Sequence, residues 1–269
     1  INVNDFPDEA GNTAFFRTVY ETPPSYNLAG KPFASPTNPY QQILFRAAQN
    51  NPYWILANNF RNIRTNRTFG NLFLDYQLAP GLKLTYRVGL DNFSTKTERY
   101  DELGTGPTGR TTPPSGGSFT LQNAQETQLN SNVFLAYDKT LSKALTLNAI
   151  VGNELFDIRR TGSSSNSSNF VTGDWPSLAN GTTVVTTNSN NAQRVVGFYA
   201  NANLGFREML YLNLSARKDY ASNLPSGRRS FLYPSAGLSL VLTEAVPVLQ
   251  RAFTFAKLRA NYAEVGQLG

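Results

Sequence analysis

From Gly81 onward the chain alternates. Leu82, Leu84, Tyr86, Val88 and Leu90 occupy one set of positions, and Lys83, Thr85, Arg87, Gly89 and Asp91 the other. A period of two marks a β-strand with one apolar and one polar face. The preceding run sets Leu72, Leu74, Tyr76 and Leu78 against Asn71, Phe73, Asp75 and Gln77, and Ala79-Pro80-Gly81 turns one run into the next. The pattern persists to the end of the chain. It predicts about eight strands, at 67–78, 82–96, 125–137, 145–159, 194–206, 209–219, 231–242 and 255–265. Residues 1–66 lack it. They are rich in Pro and Asn and read as loop, with a short helix expected around Gln41–Ala48.

The connections alternate in length. Short turns follow the first, third and fifth strands, and long polar segments follow the second, fourth and sixth. A transmembrane barrel sorts its loops this way, with tight turns on one rim and long loops on the other. Several runs also reach the roughly 9–11 residues that cross a bilayer at a tilt. Tyr76, Tyr137 and Phe206 sit on the apolar face just before short turns, as the aromatic girdle of one membrane interface would. In the polar register fall Arg87, Asp91, Glu154, Arg217, Lys257 and Arg259, a lining suited to a wide, water-filled lumen. The fold class predicted is therefore all-β, an antiparallel transmembrane barrel wall over 67–269 preceded by a loop-rich segment over 1–66.

Composition narrows the chemistry. The chain has no His and no Cys, which removes the commonest general base, thiol nucleophiles and thiolate metal sites. Carboxylates show no spacing that fits paired-acid hydrolysis or an EF-hand Ca²⁺ loop. No catalytic residue, metal site or cofactor is expected. The formal charge is +6, but Lys and Arg are scattered, so nucleic acid is not an expected partner. The run Gly104–Gly109 matches a dinucleotide fingerprint in letters alone, because no helix can open in the Pro-rich stretch after it. Trp54 reads as a packed anchor. Trp175 and Asp174, and less clearly Tyr100 and Asp101, lie in expected external loops and are the candidates for ligand or partner contact.

Several stretches together resemble the SusC/RagA group of TonB-dependent outer-membrane transporters. They are QNNPYWILANN (49–59), RTFGNLFLDYQLAPGLKLTYRVGLDNF (67–93), GFYANANLGFREMLYLNLSARKDYASNL (197–224), FLYPSAGLSLVLTE (231–244) and KLRANYAEVGQLG (257–269). Two departures stand out: Lys218 where the group commonly has Arg, and Gln267 after Gly266 where it commonly has Asn. The resemblance implies part of a barrel of about 22 strands in a Bacteroidetes-type outer membrane, among lipid and lipopolysaccharide. It also implies import of glycan or peptide nutrients with a SusD-like surface lipoprotein, driven by TonB through a plug outside these residues. The chain is expected to be a middle portion of that wall and not an enzyme. The alternative is a soluble β-sandwich module that binds carbohydrate, which accounts for the alternation but not for the sorted loops.

Overall fold

The structure is a computed structural model that describes residues 2–5, 19–44, 49–105, 116–225, 227 and 229–266. Its strands are β1 (Asn2–Asp5), β2 (Phe60–Ala79), β3 (Leu82–Asp101), β4 (Ser118–Ser142), β5 (Leu145–Phe170), β6 (Gly181–Phe206), β7 (Leu210–Ala221), β8 (Ser230–Val241) and β9 (Lys257–Ala263). Hydrogen bonding joins them in sequence order, β1 to β9, so that β1 and β9 are the two ends of the order. The all-β expectation holds, and the eight expected strands are β2 to β9.

Two differences from the sequence reading concern the strands. β2 starts at Phe60 rather than 67. β4, β5 and β6 reach 25, 26 and 26 residues, and the expected long loop over 161–191 shrinks to 171–180. Residues 161–170 and 182–191 are almost all Ser, Thr, Asn, Gly and Val. They carry no apolar alternation, so periodicity cannot reveal them. Ladder bonds and cross-strand polar pairs hold them instead, such as Ser165 with Thr186 at 3.0 Å and Asn166 Nδ2 donating to Thr120 Oγ1 at 2.7 Å.

The turns follow local chemistry. Pro80 supplies the fixed φ and Gly81 the positive φ of 80° that the β2–β3 turn demands. A Cβ on Gly81 would meet the Asp138 carbonyl oxygen. One further expectation is corrected. The helix lies at α1 (Pro52–Asn58), where the Asn51 side chain caps the Tyr53 N–H and Pro52 occupies the first turn. At the expected place, Gln42 instead forms a bridge with Ala34, and residues 45–48 lie outside the described residues. The link from β8 to β9 is filled by α2 (Leu242–Ala245) and a 3₁₀ turn (Pro247–Arg251).

Two compact units interleave along the chain. The first comprises 1–67, 93–126 and 160–191, and the second 68–92, 127–159 and 192–269. The first has an aromatic core of Tyr100, Phe119 and Phe170, with Phe60, Leu103, Leu121 and Leu178 against it. The second is regular ladder. Across β6, β7, β8 and β9 the register aligns Phe206, Leu210, Leu240 and Leu258 in one rung and Leu204, Leu212, Leu238 and Ala260 in another. The alternate rungs hold Asn203, Asn213, Gly237 and Asn261, or Gly205, Tyr211, Ser239 and Arg259. These rungs near the short turn alternate between apolar and mainly polar, because antiparallel partners share a face, whereas further along Lys218 stands between Phe198 and Leu232.

Candidate functional site

In the first unit a buried carboxylate organises the loops. Glu102 is 2% exposed. Its Oε2 accepts from Tyr100 Oη at 2.8 Å and from the Asp174 N–H at 3.0 Å, while Oε1 accepts from the Leu103 N–H at 2.6 Å. Burial pushes the Glu102 carboxyl above its usual range, against the lowering effect of those three donors. Burial and the adjacent Glu102 push the Tyr100 phenol far above its ordinary value. Tyr40 Oη donates to Asp174 Oδ2 at 3.0 Å, which raises the phenol in turn.

Tyr100 therefore does not stand in a loop. It ends β3, 3% exposed, stacked between Phe60 and Phe170 at centroid distances of 5.4 and 5.7 Å. Asp101 faces neighbours as well, accepting from Asn59 Nδ2, Arg99 Nε and Ser118 Oγ. Trp54 is fully buried and donates its Nε1–H to Thr105 Oγ1 at 3.1 Å, a packed anchor as read from the sequence. Trp175 is 46% exposed. Its backbone is fixed by Asn180, a buried residue whose Nδ2 donates to the carbonyls of Trp175 at 2.9 Å and Thr172 at 2.8 Å. The indole is thus offered to solvent from a rigid base, beside Asp174 in the left-handed region at φ 53°. The sequence reading passed over Asn180 and Asn59. Their polar letters in a Ser- and Asn-rich segment resemble any surface residue, and only burial sets them apart.

The second unit brings together some of the polar-register residues. Arg217 Nη1 donates to Glu154 Oε2 at 2.8 Å and its Nε to Asp219 Oδ1 at 2.7 Å, with the guanidinium over the Tyr199 ring at 5.9 Å. Arg87 lies over the rings of Phe134 at 5.2 Å and Phe73 at 5.9 Å. Lys257 lies over Tyr211 at 5.3 Å. Asp91 is part of β3 and Arg259 pairs across to Ser239, apart from the Arg217 group. Charge on this face is thus mostly paired or set against rings.

The other face stays bare. Leu258, Val151, Phe198, Leu238 and Leu214 remain 62%, 55%, 53%, 47% and 43% exposed. Tyr76 is 66% and Phe206 37% exposed, and Tyr137 is half-buried. Such a contiguous apolar surface needs a non-aqueous neighbour. Among the described residues no helix is long and apolar enough to cross a membrane, which leaves the strands to supply any span. No three His, Cys, Asp or Glu side chains gather there as a metal site either.

Comparison with known proteins gives a matching picture. The sequence matches the family described as TonB dependent receptor-like, beta-barrel, over residues 4–268. No curated protein matches it. Among solved structures it superposes on the RagAB peptide transporter with a TM-score of 0.69 at 16% identity, covering 83% of this chain and 25% of that one. The RagAB peptide importer in its closed-closed state gives 0.71 at 17% identity, covering 82% and 25%. The chain thus spans about a quarter of the length of the proteins it superposes on.

Proposed function

The chain belongs to the TonB dependent receptor-like β-barrel family of the bacterial outer membrane, and on that premise we propose that it forms part of the wall of a TonB-driven nutrient importer of the SusC/RagA type. Its leucine-rich face meets lipid, its polar face lines the passage, and the residues beyond the membrane receive ligand and a SusD-like lipoprotein. It makes and breaks no bond itself.

The face sorting of β6 to β9 carries this reading. On β6 the apolar positions run from Phe198 to Phe206 between Arg194 and Arg207. Eight steps of about 3.4 Å give roughly 27 Å along the strand, or about 20 Å of height at the usual tilt, close to the apolar band of an outer-membrane barrel. Tyr76, Tyr137 and Phe206 would form the girdle at the short-turn rim, and Arg87, Asp91, Glu154, Arg217, Lys257 and Arg259 the passage lining. Trp175 and Asp174 are the contacts for ligand or lipoprotein. The RagAB relatives are a peptide transporter and importer, which favours peptide over glycan as cargo. Binding of peptide and glycan libraries to the full-length protein with its lipoprotein tests this, with Trp175→Ala expected to weaken capture. Unchanged capture would remove Trp175 from the site, and glycan-only binding would overturn the peptide preference.

A further inference from the structure

The leucine-rich face carries a depression of about 550 Å³ in the second unit. Leu82, Leu135, Tyr137, Ala200, Ala202 and Leu214 are among the residues that line it. That volume falls in the range of sites that hold a small ligand. It lies on the face turned away from the passage, so no cargo reaches it.

Cations follow on the short-turn side, Lys139 beside its Tyr137 end and Arg207 and Lys143 in the turns beyond. Lys139 follows Tyr137 by two residues, so strand alternation returns it to the same face, exposed. Arg207, in the neighbouring turn, lies over the Phe206 ring at 5.2 Å and its N–H donates to the Ala144 carbonyl at 2.7 Å. Lys143 is in the adjoining turn. The opposing charges are Asp138, in the other register, and Glu208, next in the turn. Arg207 and Glu208 hold φ of 50° and 57°, where a hairpin turn ordinarily places Asn and Gly. Charged residues are thus kept in a position that local conformation does not favour.

We propose that this groove and its cationic rim bind one anionic glycerophospholipid of the inner leaflet. An acyl chain fills the depression past Tyr137, and the phosphate meets Lys139 and Arg207. Short turns mark the periplasmic rim, where phosphates lie within reach of those side chains. The inference rests on the membrane reading above.

The test uses the full-length protein, delipidated in detergent and titrated with dioleoylphosphatidylglycerol or dioleoylphosphatidylcholine under native mass spectrometry. One phosphatidylglycerol should be retained in preference to phosphatidylcholine. Lys139→Gln with Arg207→Gln should weaken it about thirtyfold, as two lost basic contacts imply. Ala202→Phe should weaken it by filling the groove. Equal retention of both lipids, or no loss in the surface double variant, overturns the inference while leaving the membrane reading intact. A wild-type protein that needs no detergent and runs as a water-soluble fold overturns the membrane reading itself.

Discussion

Aromatic and aliphatic side chains meet opposite fates in the two units. In the first, Tyr100, Phe119 and Phe170 are 3%, 7% and 7% exposed, covered by their own chain. In the second, Phe198, Leu238 and Leu258 keep about half or more of their surface open. Burial of apolar area drives folding in both, but among the two the first builds an enclosed aromatic core of its own. The second presents a finished polar face and an uncovered apolar one. An apolar residue can therefore signal a core or an interface with another phase, and the register of its neighbours tells which.

The largest expected effect tests the self-covered region. Tyr100→Ala should cost about 3–5 kcal/mol locally, the usual range for emptying an aromatic site. It also strips Glu102 of a donor, and hydrogen exchange of residues 97–105 and 166–172 should report the loss. Next, Leu212→Arg should destabilise the protein by about 2–4 kcal/mol if that residue faces mid-bilayer lipid. Denaturant unfolding in liposomes measures this, and a loss below about 0.5 kcal/mol would place Leu212 away from lipid. Asn180→Ala leaves the Trp175 and Thr172 carbonyls unserved, at about 1–3 kcal/mol, and should broaden the Trp175 fluorescence response to quenchers.

A pH effect comes after these. The Glu102 carboxyl is raised in the fold, so the stability linked to it is fully present below the ordinary glutamate value and falls as pH rises through the raised one. Exchange protection of the loop cluster should decline over that window, and Glu102→Gln should flatten the decline. The smallest effect is Lys83→Leu, within about 0.5 kcal/mol as an exposed polar-register change. A cost equal to that of Leu212→Arg would erase the distinction between faces.

Much of the second unit is legible in letters. Leu82 to Leu90 and Val196 to Phe206 alternate because one face meets an apolar phase, and the same cause fixes which residues line up across β6 to β9. Short turns are legible where Pro80 and Gly81 announce them. What the letters hide has the opposite physics. Residues 161–170 extend as a strand of small polar residues up to Phe170, so nothing alternates, though the β-branched run Thr182–Thr187 carries a propensity signal. Glu102 and Asn180 look like surface residues and are buried because the fold closes partners around them, Tyr100 and the Asp174 N–H from 72 residues away for one and the nearby Thr172 and Trp175 carbonyls for the other. The loop position expected for Tyr100 failed because β3 runs on to Asp101.

The long hairpin of β5 and β6 has a consequence for recognition. Its outer part is a hydrogen-bonded ladder with hydroxyls and amides at set intervals, where a flexible loop would have been the simpler build. A molecule landing on Ser164, Ser165 or Thr186 would find donors and acceptors already spaced, and little conformational freedom would be lost on contact. Selectivity at such a surface comes from matching a fixed lattice of polar groups, so a guest of the wrong spacing gains little from adaptation by its host.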